Sequence, residues 1–142
     1  IEIENINIKI DIPNNYKILG VSNELSQVII NLIQNAKDAF IQNNTKDKEI
    51  SISLKEEQIL DKKYAILEIK DNAGGISNEN LEKIFEPYFT TKHKSQGTGL
   101  GLFMSKMIIE KSLDGTLSHK NIDGGSIFYI SIFLNNEMEL TK

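Results

Sequence analysis

The chain has 142 residues, 39% hydrophobic and 25% charged, with no cysteine and a formal net charge of -4. That length suits one domain able to bury a core without cross-links, and the missing cysteines exclude disulfides and cysteine-ligated zinc. The acidic balance argues against nucleic acid as a partner, since a phosphate backbone needs a basic surface, and no apolar run approaches the ~20 residues of a membrane-spanning helix.

The chain opens on Ile1 rather than Met, with no signal peptide, and is expected to be a piece of a longer protein. Residues 1–10 alternate, with Ile6, Ile8 and Ile10 on one side, and predict a strand. Pro13, Asn14 and Asn15 predict a turn, and residues 16–19 a short strand. Ser22 or Asn23 then caps a long helix whose apolar positions are Leu25, Val28, Ile29, Leu32, Ile33, Ala36, Ala39 and Phe40. At ~100° per residue, Gln27, Asn31, Asn35 and Asp38 fall within an arc of ~80° beside that apolar face. Such oxygen donors suit Mg²⁺, and they equally suit a solvated polar flank. Lys37 projects away from the stripe.

Asn43, Asn44 and Thr45 break this helix, and residues 49–54 alternate as a strand. A turn at residues 61–63 leads to a second strand over 64–71. Asp71-Asn72-Ala73-Gly74-Gly75-Ile76 follows that strand. A carboxylate at a strand end can accept from the exocyclic amine of adenine, where guanine offers an oxygen, and glycines let the backbone approach a flat base; an ordinary turn reads the same. Ser77 caps a short helix expected to reach Phe85, before Pro87. Residues 86–98 are polar and aperiodic and predict a mobile lid. A second helix is expected over 99–113, with Leu100, Phe103, Met104, Met107 and Ile108 inward and Gly115 ending it. Its entry, Gly97-Thr98-Gly99-Leu100-Gly101-Leu102, exposes backbone N–H groups at a helix N-terminus, a cradle for phosphates or simply a hinge. Strands over 116–120 and 126–134 close the chain. Helices and strands mix without strict alternation, which favours a two-layer α/β sandwich over a doubly wound sheet.

Together these segments resemble the catalytic, ATP-binding domain of sensor histidine kinases, in the superfamily that includes DNA gyrase B, Hsp90 and MutL. Asn31-Leu32-Ile33-Gln34-Asn35-Ala36 is similar to the N box of that family, and residues 71–76 to its first glycine box. Phe85-Glu86-Pro87-Tyr88-Phe89-Thr90-Thr91-Lys92 resembles its F box, in wording like the nitrogen-regulatory and C4-dicarboxylate sensor branch. Residues 97–102 match its G-x-G-x-G box, and Gly124-Gly125-Ser126 its closing glycine pair. The resemblance implies the Bergerat fold, a mixed, mainly antiparallel sheet covered on one face by helices, as a single domain over residues 1–142.

It also implies roles. Asn35 ligates Mg²⁺ with Asn31 assisting; Asp71 recognises the adenine amine; Gly75 and Ile76 meet the base. Phe89, Thr91 and Lys92 belong to the lid, where Lys92 reaches the terminal phosphate and, with Asn31 and Asn35, serves catalysis. Gly97, Thr98, Gly99, Leu100, Gly101 and Leu102 wrap the phosphates, and Phe85 and Phe89 anchor the lid region. The implied reaction transfers the γ-phosphoryl group of Mg-ATP to a histidine on a separate dimerisation domain, with a response regulator downstream. The implied setting is a cytoplasmic domain, monomeric as a fragment, whose parent can be anchored in the inner membrane. His93 and His119 lack the helical, acid-flanked setting of the acceptor and read as solvated or structural residues. An ATP-hydrolysing clamp of the gyrase or Hsp90 type places a glutamate where this chain has Asn31, a poor general base. A non-catalytic nucleotide-binding module is the remaining alternative. Two departures stand out: Ala73 replaces the first glycine of its box, tolerable unless φ is positive there, and Asp38 replaces a common basic residue.

Overall fold

The computed structural model describes residues 2–3, 5–12, 17–18, 23–90, 99–134 and 140–141. In chain order these include strands β1 (Glu2–Ile3), β2 (Ile6–Asp11) and β3 (Lys17–Ile18), helix α1 (Asn23–Gln42), and strands β4 (Glu49–Ile59) and β5 (Lys62–Asp71). Helix α2 (Gly101–Met107) continues into a π-helical turn, Ile108–Ser112, before β6 (Gly115–Ile122), β7 (Gly125–Leu134) and β8 (Leu140–Thr141). Six strands form one sheet in the order β1-β2-β4-β5-β7-β6, while β3 and β8 pair separately. The β2–β4 pairing is parallel; β1–β2, β4–β5, β5–β7 and β6–β7 are antiparallel. The helices bury one face of this sheet, and the expected two-layer α/β sandwich is the observed fold.

Register decides where the core ends. Directly opposed residues of antiparallel strands share a face. Leu54, Leu67, Ile130 and Leu117 therefore form one transverse row of the helix-covered face. The next row is Ile52, Ile69, Phe128 and His119. The row after that is Ile50, Asp71, Ser126 and Asn121. The face thus runs apolar and then turns polar across three adjacent strands. Against it α1 packs Leu25, Val28, Leu32, Ala36 and Phe40, all 4% exposed or less. Burying side chains of this size contributes ~1.5–3 kcal/mol each for the large ones, before the entropy of ordering them.

Several boundaries differ from expectation. The first strand is two, broken at Asn5, which takes φ 66°. Of its isoleucines Ile6 is buried and Ile10 exposed. The second strand pair is longer, turning in two residues at Leu60 and Asp61, with Leu60 at φ 59°. Residues 77–86 form successive turns rather than a helix, with Asn80 N–H to Ser77 C=O, Lys83 N–H to Asn80 C=O and Glu86 N–H to Lys83 C=O each at 2.9 Å. Asn78 and Asn80 side chains compete for backbone groups there, and of residues 77–86 only Ile84 is buried enough to favour a helix by packing. Helix α2 is also rotated from the expected phase. Ser105 and Ile109 are its buried positions, at 2% and 0% exposure, whereas Met104 and Met107 face outward. Small residues, not the methionines, make the close approach to α1. Ser22 and the expected turn at 13–15 lie outside the described residues.

Candidate functional site

The glycine turn meets α1 through one amide. Asn31 Nδ2 donates to Ser105 Oγ at 3.0 Å. A Cβ on Gly101 would stand 2.7 Å from Asn31 Oδ1, so only glycine lets the two helices close to this distance. With its nitrogen engaged by Ser105, the carboxamide turns its oxygen toward the start of α2. Gly99, two residues earlier, has φ +76° and lies flat on the Tyr88 backbone, where any side chain would collide. The two ends of the segment 91–98 are therefore fastened together at Tyr88 and Gly99. Among the described residues no side chain caps α2, and the first amides of a helix look outside it for acceptors.

The second wall is the loop after β5. Asp71 is 9% exposed, and its Oδ1 accepts from Ala73 N–H at 2.9 Å. Burial pushes its carboxyl above the usual carboxylate range, while the Ala73 and Ser126 amides pull it back. Positive φ falls on Gly74 and Gly75, at 101° and 78°, and not on Ala73. That is why alanine is accommodated in place of the first glycine. The loop is held by amides from three directions. Asn43, just past α1, donates to the Ala73 carbonyl at 2.5 Å. Gly74 N–H donates to the Gly124 carbonyl at 3.0 Å. Asn121 Oδ1 accepts from Ile76 N–H at 2.9 Å while its Nδ2 donates to the Ile76 carbonyl at 2.6 Å. Asn72 faces away, accepting from Glu49 N–H and donating to the Asp47 carbonyl.

Helix α1 is the wall common to both features. Asn31 touches the glycine turn near its middle, and Asn43 touches the Asp71 loop beyond its end. Asn35 lies between them, half-buried, one turn or ~6 Å along the axis from Asn31. Asp38 accepts from Gln34 at 3.1 Å. Ile76, Phe89, Leu102 and Phe85 pack on the core, and Leu100 immediately precedes α2. Phe85 meets Phe128 edge-on at 6.4 Å, with Lys106 Nζ 4.9 Å from its ring centre. Thr91, Lys92, His93, Gly97 and Thr98 lie outside the described residues. His119 stacks 4.8 Å from Phe128, and burial lowers its pKa to about 4, so it is a neutral core-face residue. Among the described residues no group of three His, Cys, Asp or Glu side chains could hold a metal by itself. Mg²⁺, which takes one or two protein oxygens and completes its shell with water and phosphate, needs no such group.

Ser105, Asn43 and Asn121 were not legible as site residues. Asn43 and Asn121 stand where a helix stop and a hairpin turn account for them, and Ser105 reads as a polar interruption of a helix.

Residues 20–136 match the family model described as histidine kinase-, DNA gyrase B-, and HSP90-like ATPase. The chain is 37% identical over 113 residues to the two-component sensor PprA of Pseudomonas aeruginosa, covering 80% of this chain and 12% of that protein. It is 40% identical over 107 residues to the sensor histidine kinase ZraS of Salmonella typhimurium, covering 75% and 21%. It therefore spans a minor part of these relatives. The crystallised catalytic domain of histidine kinase ThkA superposes with a TM-score of 0.73 at 30% identity, covering 95% of this chain and 83% of that one. The chain belongs to the histidine kinase-, DNA gyrase B- and HSP90-like ATPase family, and within it is the ATP-binding catalytic domain of a two-component sensor kinase. No helix among the described residues is long and apolar enough to cross a membrane.

Proposed function

We propose that this domain binds Mg-ATP between the Asp71 loop, α1 and the glycine turn, and delivers the γ-phosphoryl group to a histidine imidazole on the dimerisation domain of its parent kinase. The observation that carries this reading is the Asn31 carboxamide set between Gly101 and Ser105, which brings an oxygen donor onto the phosphate-binding turn. Asp71 accepts from the adenine amine, and Gly75 gives the base room. Asn35 and Asn31 hold Mg²⁺, which when bound neutralises charge on the phosphates. Gly97, Thr98, Gly99, Gly101 and the amides of Leu100 and Leu102 follow the phosphates, while Thr91 and Lys92 close over them. Phosphoryl transfer is mostly positioning and charge neutralisation, so these residues need to hold and orient rather than exchange protons.

Hydrolysis is the poorer reading. Asn31 occupies the position where a water-activating carboxylate would be needed, and its amide is engaged by Ser105. The phosphorylated histidine then serves a response regulator, and this piece alone is a monomer. The F-box wording, with Phe85, Pro87, Tyr88 and Phe89, supports a place in the nitrogen-regulatory and C4-dicarboxylate branch. The test mixes this chain, γ-labelled ATP and the histidine-bearing helices of its parent. Acid-labile, base-stable label on those helices is expected, and Asn35→Ala is expected to abolish it. Release of inorganic phosphate at the same rate with and without the helices would show a hydrolase instead.

A further inference from the structure

We propose that Asn121 is a positioning residue that sets base selectivity, by holding the 71–76 loop at the depth where Asp71 meets a purine. This rests on the reading of Asp71 as the adenine acceptor. Asn121, Ser126 and Asp71 are successive Cα partners across β6, β7 and β5, so the three side chains stand in one transverse row on the helix-covered face. Asp71 is the start of the loop. Asn121 grips the loop five residues later, at Ile76, through both of that residue's peptide groups. One row of the sheet therefore fixes both ends of the loop, and Gly75 is caught between them. A Cβ on Gly75 would stand 3.0 Å from Asn121 Oδ1 and 3.1 Å from the Gly125 carbonyl.

The chemistry of the grip is specific. Ile76 presents one donor and one acceptor, and a primary carboxamide is the side-chain group that answers both at once. A carboxylate keeps the acceptor but turns a negative oxygen on the Ile76 carbonyl. Alanine leaves both peptide groups to solvent. In either case residues 74–76 lose their hold on β6 while Asp71, on β5, stays. Asn43 and Gly124 still hold Ala73 and Gly74. The expected consequence is selective. The distance between the carboxylate and the base face of Gly75 is no longer fixed, but α1 and the glycine turn, which meet the phosphates, are untouched. A residue that only stabilised the fold would weaken every ligand alike.

The test titrates this chain, Asn121→Ala and Asn121→Asp with Mg-ATP, Mg-GTP and Mg-tripolyphosphate, and follows thermal unfolding in parallel. The wild-type chain is expected to prefer ATP. Both variants are expected to lose about tenfold in ATP affinity and most of the ATP-over-GTP preference, with tripolyphosphate binding within about twofold of wild type. If the alanine variant melts below the assay temperature, the near-isosteric aspartate variant carries the same comparison. An unchanged ATP/GTP ratio in the folded variant, or an equal loss for all three ligands, overturns the proposal. A wild-type chain that binds ATP and GTP alike overturns the adenine reading of Asp71 itself, and the role of Asn121 falls with it.

Discussion

Asn31 and Gly101 are in contact across the α1–α2 interface, and the contact exists because Gly101 has no Cβ: one would sit 2.7 Å from the Asn31 amide oxygen. Ser105, one turn further along α2, takes the amide nitrogen. The pair sets both the spacing of the helices and the direction of the amide. Gly101→Ala is expected to force the helices apart, costing ~1–3 kcal/mol as an overpacked contact, and to lower Mg-ATP affinity at least tenfold. Ser105→Ala removes a single hydrogen bond, worth ~1 kcal/mol, and frees the Asn31 amide to rotate. It is expected to raise severalfold the Mg²⁺ concentration needed for half-maximal ATP binding, with nucleotide affinity in EDTA unchanged. Calorimetric titration at varied Mg²⁺ separates the two variants; equal behaviour in EDTA and Mg²⁺ would remove the metal-facing role of Asn31.

Asp71 links nucleotide binding to pH with a definite sign. Burial raises its folded-state pKa above the ordinary carboxylate value of about 4. The proton is thus held more tightly in the folded state than in the unfolded one. The associated stability is fully present in acid and is lost as pH rises through the raised folded-state pKa. At neutral pH the chain carries a buried carboxylate at some cost. Asp71→Asn is therefore expected to raise the melting temperature at pH 7 and to leave it nearly unchanged in acid. The same substitution should weaken ATP binding more than tenfold at pH 7, because an amide can turn a donor toward the adenine amine. Acidification should weaken ATP binding to the wild type beginning above the ordinary carboxylate range. The Asp71→Asn variant is the control, since its remaining pH dependence reports only the phosphates. A variant less stable than wild type at pH 7 would contradict the burial cost.

Much of this architecture is legible in the residues alone, and the misses have a common cause. The α1 face reads correctly because Leu25, Val28, Leu32, Ala36 and Phe40 repeat with the helical period and are buried as expected. The strands read correctly because Ile50, Ile52 and Leu54 alternate. The face of α2 misreads because hydrophobicity favours Met104 and Met107, while the interface selects Gly101 and Ser105 for size. The residue pattern over 77–85 suggests a helix start, yet Asn78 and Asn80 divert the backbone into turns. The site is readable where a residue type carries its own chemistry, as Asp71 does. It is unreadable where an ordinary amide acts on a distant backbone, as Asn43 does on Ala73, 30 residues away. Register across β5, β7 and β6 is likewise a long-range fact that local pattern does not contain.

His119 carries a separate prediction about acid stability. Its ring lies in the second core-face row, against Phe128, and its buried Nε2 has no hydrogen-bond partner among the described residues. Burial lowers its pKa from 6.5 to about 4. The unfolded chain therefore binds the proton more readily, and the stability present above pH 6.5 is lost as pH falls toward 4. The loss is on the order of 1–2 kcal/mol, since the ring is only partly shielded from solvent. His119→Leu fills the same apolar row with Ile52, Ile69 and Phe128. It is expected to flatten the denaturant midpoint between pH 6.5 and 4 while leaving ATP affinity at pH 7.5 within about twofold. An unchanged slope in that window would place the acid sensitivity elsewhere.

Gly99 fastens the C-terminal end of the lid segment, and its requirement for glycine is twofold. Its φ of +76° costs an L-residue ~1–2 kcal/mol, and its missing side chain is replaced in space by the backbone of Tyr88. Tyr88 itself takes φ 67°, so both sides of the contact are held in an uncommon conformation. Strain of this kind persists only where the surrounding packing fixes it. Here Phe85 and Phe89 anchor the approach to Tyr88 on the core, and α2 begins two residues after Gly99. Gly99→Ala cannot be absorbed by a rotamer change, because the obstacle is main chain. The contact must open, and the base of the 91–98 segment must widen. The expected result is a loss of at least ~2 kcal/mol of stability together with faster nucleotide dissociation. Stopped-flow release of a fluorescent ATP analogue, read beside thermal unfolding, measures both. A variant that is destabilised but releases nucleotide at the wild-type rate would mean that the Tyr88–Gly99 contact supports the fold without governing access to the site.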